Sequence, residues 1–290
     1  MTPPQWPTRP ARAALPIVAA AALLAAPTAA QAETLTATYA ISLAGLPIGT
    51  ANLRAEIGSG AYKLDIRAGM TGLAGAMMKS SGVGVASGSL TGAGRLTSSG
   101  YAINSTSSDG ARRVQVAMNA GNVQFATLDP PLEDRPDRVP VTDAHRRGVV
   151  DPVSALLMPL PTKSTDPLDP SGCDRTIPIF DGATRFDVIL SHKGRSEVRG
   201  QGYSGPALVC AARFVPHAGH RPDRRATQFM VANRDMEVWL VPVGSTRLLA
   251  PHRISVRTMV GMTLLEASAF QVAGATAEAA APGTAGRARN

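Results

Sequence analysis

Three consecutive stretches near the start of the chain alternate apolar and polar residues with a period of two. In residues 34–43, Leu35, Ala37, Tyr39, Ile41 and Leu43 alternate with Thr34, Thr36, Thr38 and Ser42. Past Gly45-Leu46-Pro47, residues Ala51, Leu53, Ala55 and Ile57 alternate with Asn52, Arg54 and Glu56. Past Gly58-Ser59-Gly60, residues Tyr62, Leu64, Ile66 and Ala68 alternate with Lys63, Asp65 and Arg67. Successive side chains of a strand point to opposite faces, so each stretch has one apolar face and one wet face. The turns are too short for a crossover, so the strands pair antiparallel. The expectation is a mainly β protein: a curled antiparallel sheet, an open or half barrel, wet on one side.

Residues 69–100 hold nine glycines and an apolar patch at 73–78. They form either a flexible loop or strands whose glycines let a curved sheet bend, with curved strands and a short helical piece near 74–78 preferred. Strand character returns at 101–105, 113–118 and 122–126. Residues 127–172 are a Pro-rich connection, interrupted where Asp151 caps and Pro152 opens one short helix. Val153, Leu156 and Leu157 form that helix's apolar face and Pro159 stops it. A hairpin at 176–190 turns on Asp181-Gly182. Strands follow at 198–203, 207–215, 236–241, 252–260 and 262–270. One β domain thus covers 33–270, and the Ala/Gly/Thr-rich tail 271–290 is expected to be disordered.

Residues 1–32 carry the three parts of a cleavable signal peptide. Arg9 and Arg12 precede an apolar run at 13–26, and Ala30-Gln31-Ala32 supplies the small-x-small cleavage pattern. The run falls short of the roughly 20 residues that span a bilayer, which disfavours the alternative of an uncleaved anchor. The expected location is the periplasm, with membrane contact at most peripheral. There the two cysteines of the chain, Cys173 and Cys210, are expected to form a disulfide. The basic balance, a net charge of +8, suits nucleic acid in general. Export and an aromatic content of 4% argue against that partner, because single strands need stacking platforms.

No catalytic residue, metal site or cofactor is assigned. His217 and His220 are spaced i, i+3, but their segment holds two prolines and a glycine, and no acidic or Cys ligand accompanies them at a zinc spacing. Gly202-Tyr203-Ser204-Gly205-Pro206 lacks the second glycine of a nucleophile elbow. Gly82, Gly84 and Gly88 depart from the dinucleotide fingerprint and lie in a β context. Asp151 is explained as an N-cap, and Asp181 and Asp109 as turn residues. Outer-membrane barrels share the alternation, but too few aromatics are present for two girdles.

The order of several motifs resembles a family of exported bacterial proteins catalogued as domain of unknown function 3108. They are Tyr39-to-Gly49 (YAISLAGLPIG), Asp151-Pro152-Val153-Ser154, Phe180-Asp181-Gly182, the small residues around Cys210, Val238-Trp239-Leu240, Pro251-His252-Arg253-Ile254, and Gly261. The resemblance implies a periplasmic location and a curved, open β structure like the half barrels of periplasmic lipoprotein carriers, and it implies no activity. The leading functional expectation is a non-enzymatic protein that binds or carries an apolar, lipid-like envelope component on the concave face of its first strands. An envelope assembly or scaffold factor, its sheet filled by its own helix, is the alternative, and an unrecognised hydrolase is the third. Ligand identity and oligomeric state are not legible.

Overall fold

Thirteen strands run through one antiparallel sheet in a computed structural model that describes residues 32–77, 79–91, 95–161 and 164–274. The three alternating stretches are β1 (Glu33–Leu43), β2 (Leu46–Ile57) and β3 (Ala61–Met70). The glycine-rich stretch is the curved pair β4 (Ser81–Leu90) and β5 (Leu96–Ser107), preceded by α1 (Gly72–Met77); Met78 lies outside the described residues. Gly88 shows why glycine is needed, since a Cβ there would sit 2.1 Å from the Thr97 carbonyl oxygen and 2.4 Å from the Tyr62 hydroxyl. Next come β6 (Gly110–Asn119) and β7 (Asn122–Asp129), then the connection with the two-residue β8 (Met158–Pro159). The second half holds β9 (Arg175–Phe180), β10 (Arg185–Arg199), β11 (Ser204–Ala218), α2 (Arg225–Ala232), β12 (Met236–Pro242), β13 (Leu248–Thr258) and β14 (Gly261–Gly274).

The strand order is β7-β6-β5-β4-β3-β2-β1-β14-β13-β12-β11-β10-β9, with β8 beside β13. The sheet is curled but not closed, because edge strands β7 and β9 do not pair. The connection spans the gap instead. The Val149 amide donates to the Gly121 carbonyl (2.8 Å), at the β6–β7 turn, and the Val150 amide to that of Pro178 (2.8 Å), on β9. Gly182, in the β9–β10 turn, has φ +98°, and a Cβ there would lie 2.6 Å from Val114 of β6. The Phe180-Asp181-Gly182 motif therefore makes a turn that only glycine fits and seats it against the far end of the sheet.

Four expectations are corrected in detail. The helix after Asp151 is one 3-10 turn, Ser154–Leu156, cut short because Met158 and Pro159 at once pair with β13. Between β11 and β12, where no element is expected from the sequence, Arg225–Ala232 form the helix α2. Residues 198–203 are not a strand of their own: β10 continues through Arg199, and the chain then turns at Gly202, φ +89°. The tail begins later than Phe270, since β14 runs to Gly274 to complete its pairing with Glu33 of β1. Residues 275–290 and, but for Ala32, the expected leader lie outside the described residues. No helix among the described residues is long and apolar enough to cross a membrane.

Two apolar cores result. In the first, Leu35, Leu53 and Leu64 of β1–β3 are buried together with Val153 and Leu157 of the connection and Phe270 of β14. In the second, Leu208, Val238, Leu240 and Leu249 of β11–β13 pack with Met158, Leu160, Leu168 and the two cysteines.

Candidate functional site

The face of the first strands is filled. Leu53 and Leu64 are buried beneath the 153–157 segment, so among the described residues the connection itself, not open space, lies over these strands. The same segment presents its other side, Pro152, Ala155 and Leu156, to the second half of the sheet. Here the second core stops short and leaves an apolar cavity of about 260 Å3. Its walls include Ile177 of β9, Val188 and Leu190 of β10, Phe214 of β11, Val238 of β12 and Ile254 of β13. Met230 of α2 closes one side.

A β-bulge shapes this wall. Trp239 pairs with Arg253 and Leu240 with Pro251, so His252 is the extra residue of β13. The insertion shifts the alternation by one. Ile254 and Val256 thereby share the cavity face with Pro251, while Arg253 points away and stacks over Trp239, 4.8 Å from the ring centroid. The His252 ring is only 3% exposed, lies 6.0 Å from Phe270 and 6.3 Å from Tyr203 between centroids, and has no hydrogen-bond partner on either nitrogen. Burial pushes its pKa below the usual histidine value, which keeps the ring neutral.

Asp151 is wholly buried and does what the sequence assigned it. Its Oδ1 accepts hydrogen bonds from the amides of Val153 (3.0 Å) and Ser154 (2.8 Å). Its own amide donates to the Ser98 hydroxyl (3.3 Å), and the Tyr62 hydroxyl donates to Ser154 Oγ (2.8 Å). Oδ2 has no partner. Burial raises the carboxyl pKa, and the hydroxyls and amides around it pull the other way. The group fixes the connection over the first core.

The remaining residues weighed from sequence are scattered. Cys173 and Cys210 are disulfide-bonded, Cα to Cα 5.4 Å, tying the approach to edge strand β9 to β11, two strands in. His217 pairs with Asp187 (2.8 Å), which also accepts from Arg185 (2.6 Å); His217 and His220 do not form a common ligand set. Among the described residues no group of three or more His, Cys, Asp or Glu side chains is placed to hold a metal ion. Gly82, Gly84 and Gly88 belong to β4, and Tyr203, Ser204 and Gly205 to the entry of β11. Sequence reasoning missed the cavity and α2. The one signal for α2 was a helix-compatible run, Arg225 to Ala232, free of glycine and proline.

No functionally curated protein matches the chain. A solved structure titled "Crystal Structure of Beta-barrel-like Protein of Domain of Unknown Function DUF1849 from Brucella abortus" aligns over 84% of this chain and 98% of its own, at 7% identity and a TM-score of 0.43. That likeness is too distant to carry anything across. The family described as "Protein of unknown function (DUF3108)" matches residues 38–266. That span takes in most of the curled sheet and of both cores, with the connection between them, and the chain belongs to the DUF3108 family.

Proposed function

We propose that this is a periplasmic, non-enzymatic protein that binds or carries an apolar, lipid-like envelope component in the cavity beneath β9–β13. The observation that carries this reading is the cavity itself, about 260 Å3 and lined mostly by apolar side chains, with Arg213, Glu237 and Ser255 as its polar members. It lies just under the roughly 300–1,000 Å3 of ordinary ligand sites, a size for one aliphatic chain. The leader pattern of residues 1–32 and the disulfide both support an oxidising, exported setting. Apolar surface left uncovered costs about 25 cal/mol per Å2, so a guest is retained through mild purification.

The test uses the uncharged fluorophore 1-N-phenylnaphthylamine and native mass spectrometry of protein taken from its own envelope. A saturable fluorescence rise and a bound apolar species are expected. Both are lost in Ala212→Trp, which fills the cavity from β11. Absence of both signals from the parent protein, or their survival in the filled variant, overturns the reading.

One observation favours a second reading, the envelope assembly or scaffold factor. The first-strand face is plugged by the protein's own connection, and Val83 and Val85 of β4 and Phe125 of β7 (43%, 44% and 50% exposed) lie on the outer face of the sheet. Site-specific photo-crosslinking from Val85 in the native envelope that yields one discrete protein adduct supports it.

A further inference from the structure

A second cleft, about 450 Å3, opens where the β11–α2 turn meets the connection. Its walls carry Arg112 of β6, Arg135 and Arg138 of the connection, and Arg221 and Arg224 ahead of α2. Among the described residues Glu133 is the one carboxylate on those walls, and it is paired with Arg135. Arg221 is paired with Asp137 (2.7 Å) outside the cleft wall. Arg138 donates through one terminal nitrogen to the Gly219 carbonyl (2.7 Å), and its Nε is buried without a partner. Arg112, Arg138 and Arg224 have no carboxylate within salt-bridge distance among the described residues. Gathering guanidinium groups against their mutual repulsion makes a focused positive potential, and their planar forks match phosphate oxygens two at a time.

This cleft and the apolar cavity are joined along two elements. On α2, Thr227 lines the cleft and Met230 lines the cavity; three residues apart, they are neighbours on one helix face. Along β10 the same happens, with Thr184 just before the strand at the cleft and Val188 at the cavity. Four residues apart, they share a strand face and lie about 13 Å from each other. Between them Phe186 packs on Phe214, ring centroids 5.2 Å apart, and gives the intervening surface an apolar floor.

We infer that the ligand is an anionic amphiphile, with a phosphate-bearing head among Arg112, Arg138 and Arg224 and a single acyl chain running over Phe186 into the cavity. The inference rests on the proposed apolar-ligand reading and adds to it the head group and its direction. Free phosphate offers the same chemistry to the cleft, and a rival place for an acidic head is Arg175, at the far end of the β9 face, whose Nε is also buried without a partner.

Displacement of bound 1-N-phenylnaphthylamine is compared for lauroyl lysophosphatidic acid, monolaurin and inorganic phosphate, with calorimetry for phosphate alone. Lysophosphatidic acid is expected to bind at least tenfold more tightly than monolaurin, by a margin that shrinks as salt rises. Arg112→Gln/Arg224→Gln, two exposed side chains whose loss leaves the fold intact, removes the margin and leaves monolaurin binding unchanged. Equal affinity of the two lipids in the parent protein overturns the head-group assignment while the cavity reading stands. Failure of both lipids to displace the probe overturns both. Phosphate alone binding as tightly as the phospholipid makes the cleft a separate ion site and overturns the linkage. A margin abolished by Arg175→Gln but untouched by the double variant places the head at the other end and overturns the direction.

Discussion

Single buried polar groups record what this fold tolerates. His252 is held neutral by burial, and in the unfolded chain it titrates near 6.5. Below that pH the unfolded state takes up a proton that the folded state refuses, so stability present above about 6.5 is lost as the pH falls toward the lowered native value. A phenyl ring fits the same aromatic neighbourhood without orphaned nitrogens. His252→Phe should therefore fold, and its urea midpoint should drop less between pH 7.5 and pH 5.5 than that of the parent; an equal drop would place the titration elsewhere. Asp151 has the opposite sign. Its raised carboxyl pKa means that its contribution is complete below the ordinary value near 4 and declines as the pH rises through the native value. Asp151→Asn keeps an acceptor for the Val153 and Ser154 amides and drops the charge, so at pH 7 it should match or exceed the parent. Asp151→Ala orphans both amides and should cost about 1–2 kcal/mol. Equilibrium unfolding of the two variants at pH 7 checks the pair.

At the scale of elements, the connecting segment 152–158 separates a filled half of the sheet from an unfilled one. Val153 and Leu157 are buried in the first core, while Leu156, half-buried against that core, also lines the cavity. Leu157→Ala should cost about 2–5 kcal/mol, the range for a packed leucine. Leu156→Ala, already beside empty space, should cost distinctly less and enlarge the site; thermal denaturation of both, with probe binding, reads the asymmetry. The same contrast explains what the sequence could reveal. β1–β3 each keep one wet face, so Leu53 and Leu64 stand out against Arg54 and Lys63, and the curled antiparallel sheet was legible there. In β11–β13 both faces are buried, as Leu240 beside Val241 and Leu249 beside Ala250 show, and alternation disappears from the text of the chain. The bulge at His252 then exchanges faces mid-strand, which no periodicity announces. The cavity wall is assembled from residues as far apart as Leu156 and Ile254, so it exists only once the register of five strands is fixed. The arginine cleft fails to show for the same reason: Arg112 and Arg224 meet across the open end of the sheet. The disulfide, by contrast, needed only two cysteines and a compartment.

For the whole molecule, the central fact is an open sheet whose ends are tied by side contacts and not by a strand ladder. Edge strand β9 is held by β10, by the two bonds to Val150, and by Cys173, whose bond to Cys210 lies inside the second core. β1–β6 make no use of that link, being laced through consecutive hairpins. Breaking the disulfide frees a loop of 37 residues in the unfolded chain, worth roughly 3–4 kcal/mol on the chain-entropy account. In the folded chain the loosening is local, because stability is distributed in cooperative units and the least anchored edge opens first. Cys173→Ser/Cys210→Ser should thus lower the unfolding free energy by about that amount, and amide hydrogen exchange should rise in β8, β9 and the adjoining part of β10 while β1–β3 keep their protection. The cavity wall supplied by Ile177 and Leu190 belongs to the loosened region, so probe binding should weaken even at temperatures where the variant remains folded. Uniformly faster exchange over both halves would instead mean that the two cores unfold as one unit. The filled half would then not be able to stand while the half that lines the cavity breathes.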